Sequence, residues 1–261
     1  MVQAVQRAVR ILREIAAAGR PTGVTELAEL LGVSKPTVHA MLRTLEAEGL
    51  VVHDGDSHKY QLGPGTVALS NGYLHTQELR TRSLTWAELL ASQAGEAVWV
   101  GVLTDDHVMV VHHAFRPEGA VQVLEVGASI PWNTCALGKA IVAFTPEEVR
   151  RRLLTGELAV LTGTSITDPA SLDEQLALVR EVGYAVEEQE STLGDASIAA
   201  PVFDRSGAVA GAIGVVGPVE RLLPDLPRRQ EVTVAVRETA RNLSRDLGAR
   251  RGTAWRAALR G

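Results

Sequence analysis

VTELAELLGVSKPTVHAMLRTLEAEGLV, residues 24–51, is the stretch whose reading decides the fold of this chain. Leu27, Leu30 and Leu31 fall on one side of a short helix over 25–31 that stops at Gly32. Ser34 is a good N-cap for a second helix, with Pro36 in its first turn, where the missing N–H costs nothing. Val38, Leu42 and Leu45 make the buried stripe of that helix, and Gly49 ends it at C′. Upstream, Val5, Val9, Leu12 and Ile15 recur at helical spacing until Gly19 and Pro21 terminate the pattern. Downstream, 50–53 and 58–62 flank Asp54-Gly55-Asp56-Ser57, a hairpin signal with glycine in the turn. Three helices, the short link Gly32-Val33 and a hairpin predict a winged helix-turn-helix over 1–62.

The face of the helix after Ser34 that points away from its apolar stripe carries Lys35, Thr37, His39, Ala40 and Arg43. Such a helix enters the DNA major groove by its N-terminal end, so Thr37, His39 and Arg43 are candidate readers of base edges. Ser34, Lys35 and the wing residues His58 and Lys59 are candidate phosphate contacts, which fix position rather than sequence. The same elements would also suit a helical interaction domain with a solvated polar face; the order and spacing of the turn, cap and wing favour DNA. Residues 1–70 hold seven Lys or Arg against seven Asp or Glu. One neutral copy would bind weakly, because neutralising phosphates supplies most of the affinity, so a dimer is expected.

The 261 residues carry a net charge of −5, all of it beyond residue 70, and suit two modest domains. A single cysteine excludes an internal disulfide framework. Charges interrupt the N-terminal segment every few residues, and no apolar run reaches the roughly 20 residues of a spanning helix, so a cytoplasmic location without membrane contact is expected. Residues 63–78 read as a linker with a weak helical pattern in Val67, Leu69 and Tyr73. The second domain, 79–261, reads as a helix over 79–94, then strands at 97–103, 107–115 and 121–126. Helices open at Pro146 and at Ser171, the latter with Glu174 as a capping box. Strands at 184–189, 197–203 and 209–216 precede a closing helix over 225–247. The pattern is α+β, with helices flanking a mostly antiparallel sheet.

Residues 131–140, PWNTCALGKA, hold the lone cysteine and a Gly-Lys pair. A phosphate loop would need glycine at Asn133 and a hydroxyl at Ala140, so nucleotide binding is not expected. Cys135 sits where a helix start could activate a thiol. A base must accompany it, and of the adjacent His112 and His113 at most one can face a pocket. A Cys135-dependent hydrolase or transferase with an accessory DNA domain is the alternative from another class, and redox sensing by Cys135 stays open. The histidines show no paired ligand spacing, so neither metal nor cofactor is expected. What remains is a helix start whose N–H groups at Cys135, Ala136 and Leu137 could hold an anion. Lys139 adds charge there or points to solvent. Trp99, Val98 and Val100 fit either a pocket lining or sheet packing. The arginine-rich stretch from Arg237 onward fits a frayed helix end better than a DNA contact.

Three stretches, QRAVRILREIAAAG, VTELAELLGVSKPTVHAMLRTLEAEGLV with YQLG, and IPWNTCALGKAIVAF followed by GYAVEEQESTLGDASIAAPVFDRSGAVAGAIGVVGP, resemble the IclR family of bacterial transcriptional regulators in order and spacing. The resemblance spans nearly the whole chain. It implies an N-terminal winged helix, a linker helix and a C-terminal effector-binding domain of GAF-like fold. It also implies homodimers or dimers of dimers acting on palindromic operators, more often as repressors, in response to a small organic acid, aromatic compound or polyol derivative. Carried over position by position, the effector would meet Ala136, Leu137, Glu187, Ser197, Gly214 and Val216, with Cys135 at the helix start and Trp132 as a wall. Members that bind small acids place hydroxyls where Gly214 and Val216 stand, and a histidine at Asn133. A larger or more apolar ligand is expected here. The wording around Arg116-Pro117 and 131–140 is similar to the glycerol-operon branch of the family; regulators of aromatic-acid catabolism are the rival.

Overall fold

The computed structural model describes residues 2–118, 123 and 125–249. The chain divides into two units, Met1–Thr76 and a second that begins at Gln77.

In the first unit α1 (Gln3–Ala18), α2 (Val24–Leu31) and α3 (Lys35–Ala47) precede β1 (Val51–Asp54), β2 (Lys59–Leu62) and α4 (Pro64–Thr76). Gly19 and Gly32 close α1 and α2 in the left-handed region, at φ 60° and 66°, which glycine enters without a Cβ clash. β1 and β2 pair antiparallel from Val51↔Leu62 to Asp54↔Lys59. The core holds Ile11, Ile15, Leu27, Val38, Leu42, Leu45 and Tyr60. The apolar stripes are narrower than their spacing suggests. Val5 and Val9 are exposed on α1, where Ile11 and Ile15 are buried instead, and Leu30 is exposed while Ala28 is buried. Periodicity marks an apolar side; how much of it is covered depends on the neighbouring helices and β2.

Ser34 caps α3 as expected, accepting the Thr37 N–H at 3.4 Å and sharing a 2.8 Å hydrogen bond with the Thr37 hydroxyl. Ser34→Ala is expected to lose about 1 kcal/mol of helix stability. Native-state hydrogen exchange should read this as faster exchange in the first turn of α3, while an unchanged rate would mean that Pro36 alone starts the helix.

The second unit runs α5 (Glu78–Ala94), β3 (Ala97–Thr104), β4 (His107–Ala114), β5 (Ser129–Pro131), α6 (Ala136–Val142), α7 (Glu147–Leu154) and α8 (Pro169–Val182). It continues with β6 (Ala185–Glu188), β7 (Asp195–Phe203), β8 (Val209–Pro218), α9 (Val219–Leu222) and α10 (Leu226–Asp246). Among the described residues, six strands form one antiparallel sheet in the order β5-β4-β3-β8-β7-β6. Helices α5 and α10 pack on one face and α6 on the other. The strand expected at 121–126 falls largely outside the described residues; Val123 and Glu125 are in no strand, and β4 pairs instead with β5. Asp168, not Ser171, caps α8, accepting the Ser171 N–H at 2.8 Å and its hydroxyl at 2.7 Å. An ionised carboxylate three residues earlier is the stronger acceptor for that amide. Of the arginine-rich stretch, residues 250–261 lie outside the described residues.

Candidate functional site

In the first unit, α3 and the wing enclose a groove of about 420 Å³ lined by Val24, His39, Arg43, Glu46, His53, His58 and Tyr60. Three of the residues expected to meet DNA, His39, Arg43 and His58, thus share one surface. Lys35 and Lys59 are exposed and do not line it, and Thr37 is half-buried with its hydroxyl tied to Ser34. The wing tip is preorganised. Asp54 accepts the Asp56 N–H at 3.1 Å and the Ser57 hydroxyl at 2.5 Å, and His58 adopts φ 54°, an uncommon left-handed conformation for a side-chain-bearing residue. The His53 ring lies 5.9 Å from that of His58 and 4.7 Å from that of Tyr60, centroid to centroid. His53 and Tyr60 were invisible as groove residues in the sequence, because only pairing of β1 with β2 brings them opposite α3, and Glu46 lies on α3 itself, three residues beyond Arg43.

In the second unit the start of α6 is bound into the sheet by a chain of hydrogen bonds. The Ala136 N–H donates to Ser197 Oγ at 3.3 Å, and the Ser197 hydroxyl donates to Glu187 Oε2 at 2.7 Å. Glu187 Oε1 accepts the N–H groups of Glu190 and Ser191 at 2.8 and 3.3 Å. Burial pushes the Glu187 carboxyl above the usual carboxylate range, against the opposing pull of these hydrogen bonds. The expected free row of N–H groups at Cys135, Ala136 and Leu137 is therefore corrected: the Ala136 amide is taken by Ser197. The Cys135 side chain is itself the N-cap, its sulfur accepting the Gly138 N–H at 3.3 Å.

Lys139 does not point to solvent. It is 1% exposed, and its ammonium donates to Glu190 Oε1 at 2.5 Å and Gln175 Oε1 at 2.9 Å. Asn133 donates to the carbonyls of Ala159 and Ile166 at 2.9 and 3.1 Å and accepts the Ala159 N–H at 3.2 Å. It pins the 159–166 loop, so its side chain is committed to that loop. Gly214 is a packing requirement, since a Cβ there would lie 2.7 Å from Ala199 Cβ. Val216 is half-buried and pairs with Ala97 on one side and Ser197 on the other. Trp132, Cys135, Ala136 and Leu137 share one apolar cluster against which Trp99 packs.

Burial, reinforced by Glu187, pushes the Cys135 thiol up to about 12, so the sulfur is protonated at neutral pH and a poor nucleophile. Ellman's reagent at mildly alkaline pH is expected to leave the folded chain unmodified and to release one equivalent after denaturation in guanidinium. Rapid reaction of the folded chain would reopen redox sensing. Of the two histidines, His113 lies on the Trp99 side, their ring centroids 6.0 Å apart. His112 lies near Arg80 instead, its pKa lowered to about 4 chiefly by burial. Among the described residues no three His, Cys, Asp or Glu could hold a metal ion, and no helix is long and apolar enough to cross a membrane.

Residues 4–55 match the IclR helix-turn-helix domain, and residues 71–245 match the bacterial transcriptional regulator IclR C-terminal domain. The chain is 46% identical over 250 residues to the glycerol operon regulatory protein of Streptomyces griseus, covering 96% of this chain and 98% of that protein. Identity to the glycerol operon regulatory protein of Streptomyces coelicolor is 42% with the same coverage. The crystal structure of an IclR transcriptional regulator from Alicyclobacillus acidocaldarius superposes with a TM-score of 0.81 at 30% identity, covering 94% of this chain and 98% of that one. The chain therefore belongs to the IclR family of bacterial transcriptional regulators, which bind DNA through the N-terminal domain and are not enzymes.

Proposed function

We propose that this chain is a repressor of a catabolic operon for glycerol or a related polyol, and that a small effector held in the second unit relieves repression. The observation that carries this reading is the full-length likeness, at 46% identity, to a glycerol operon regulatory protein. The protein acts in the cytoplasm as a dimer or dimer of dimers, each winged helix meeting one half of a palindromic operator. Thr37, His39 and Arg43 read bases, while Ser34, Lys35, His58 and Lys59 hold phosphates. The effector lies against the start of α6, in reach of Trp132, Cys135, Ala136, Leu137, Glu187, Ser197, Gly214 and Val216. Its binding alters the spacing of the two winged helices in the dimer and hence the fit to both half-sites.

Arg43→Ala is the direct test. Against double-stranded DNA from upstream of the chain's own gene and its neighbours, it is expected to weaken binding roughly 10- to 100-fold, the cost of one lost bidentate base contact. Lys59→Ala should weaken specific and nonspecific DNA alike and flatten the salt dependence. An Arg43→Ala chain that binds as tightly as the parent would overturn the assignment of α3 as reader.

A further inference from the structure

Among the described residues, three ring nitrogens around the sheet face that carries α6 have no hydrogen-bond partner: those of Trp99 and His113 on the sheet, and that of Trp132 in the turn before the helix. Trp99 on β3 lies opposite His113 on β4, with the rings edge-to-face. His113 is 6% exposed, and its Nδ1 accepts the Glu125 N–H at 3.1 Å. A neutral imidazole that accepts at Nδ1 carries its proton on Nε2, so Nε2 is a donor. Burial holds the His113 pKa below the ordinary value, which keeps the ring neutral. His113 Nε2 and Trp99 Nε1 are both buried and without a hydrogen-bond partner among the described residues. Buried donors are normally paired, so these ring nitrogens are open to an acceptor that a ligand can bring.

The register sets these donors beside the α6 bracket. Trp99 continues across the sheet to Gly214 and Ala199, and the next row on the same face runs Val216, Ser197, Glu187. Beside the start of α6 stand the carboxyl groups of Glu187 and Glu190 and the ammonium of Lys139, two acids against one base, and Lys139 is already paired with Glu190. An anionic ligand would meet the acidic excess. A cationic one would leave both ring donors unpaired, since a cation offers donors rather than acceptors.

We infer that Trp99 and His113 are specificity-determining residues of the effector site, and that the effector is an uncharged molecule whose hydroxyl, ether or carbonyl oxygens accept from Trp99 Nε1 and His113 Nε2. This rests on the reading that the effector lies against the start of α6. The sequence left Trp99 open between pocket and packing; its unpaired N–H decides for the pocket.

The test uses the full-length chain with ¹⁵N-labelled tryptophan. Trp99 and Trp132 indole resonances are assigned with Trp99→Phe and Trp132→Phe, and the probes are glycerol, xylitol and gluconolactone against pyruvate, 4-hydroxybenzoate and glycerol 3-phosphate. The expected result is that an uncharged probe shifts the Trp99 resonance, and that Trp99→Phe weakens its binding about tenfold. Trp86→Phe, whose indole is already bonded to Asp246 at 2.6 Å, should leave binding unchanged. Tighter binding by an anion than by every uncharged probe overturns the inference, as does the absence of any Trp99 shift with the uncharged probes. A probe that moves Trp132 but not Trp99 overturns the inference and leaves the α6 reading intact. A probe that releases DNA while moving neither indole overturns the α6 reading itself.

Discussion

Replacing Lys139 with methionine is expected to destabilise the second unit by about 3 to 5 kcal/mol, because it strands the Glu190 carboxylate in a buried position without its counter-charge. The pair has little access to water: the side chains are 1% and 8% exposed, so solvent screening cannot soften the loss. Gln175 remains as a neighbour, but its contact in the parent is with the ammonium, which methionine lacks. All four tryptophans lie beyond residue 77, so tryptophan fluorescence in a urea titration reports unfolding of the second unit alone. The midpoint should fall sharply for Lys139→Met. The double variant Lys139→Met with Glu190→Gln should recover a large part of the loss, since it removes the lone charge instead of exposing it. Equal midpoints for the parent and Lys139→Met would show that Glu190 escapes to water when its partner leaves.

Gly138→Ala is expected to cost about 3 kcal/mol by the same measurement. At an unconstrained helical position the exchange would stabilise, by up to about 1 kcal/mol, because alanine loses less backbone freedom on folding. Here the new Cβ would lie 2.6 Å from Trp132 Cα and 2.7 Å from its carbonyl carbon. Those are backbone atoms of the turn that leads into Cys135, and they cannot swing aside as a flexible side chain could. The sign of the change therefore decides between helix propensity and overpacking, and a stabilised variant would refute the contact. Because α6 also carries Cys135 Sγ on the Gly138 amide, any separation of the turn from the helix should disturb the effector face as well.

How much of this could be read in advance follows the range of the interactions. The end of α3 at Gly49, its start at Ser34 and the stops at Gly19 and Gly32 depend on residues within one turn of each other, and all appear as expected. The exposed Val5, Val9 and Leu30 show the limit of periodicity. An apolar spacing names a side of a helix, but the extent of its cover is set by elements elsewhere in the chain. The phosphate-loop question at 131–140 was also answerable locally, from Asn133 and Ala140.

The sequence by itself determined that this is a two-part regulator with a winged helix, because caps, glycine stops and helical spacing are local signals and two separated motifs carry the family likeness. The tertiary structure alone decided what the Gly-Lys stretch does. Lys139 finds Glu190 across 51 positions, Ala136 finds Ser197 across 61, and Trp99 meets His113 only through strand pairing. A buried polar group must be matched or left wanting, and no local pattern reveals which outcome holds. That is why Lys139, which could have been a solvent-facing charge, proves to be a buried strut, and why the unpaired N–H groups of Trp99 and His113 become visible only in the folded sheet.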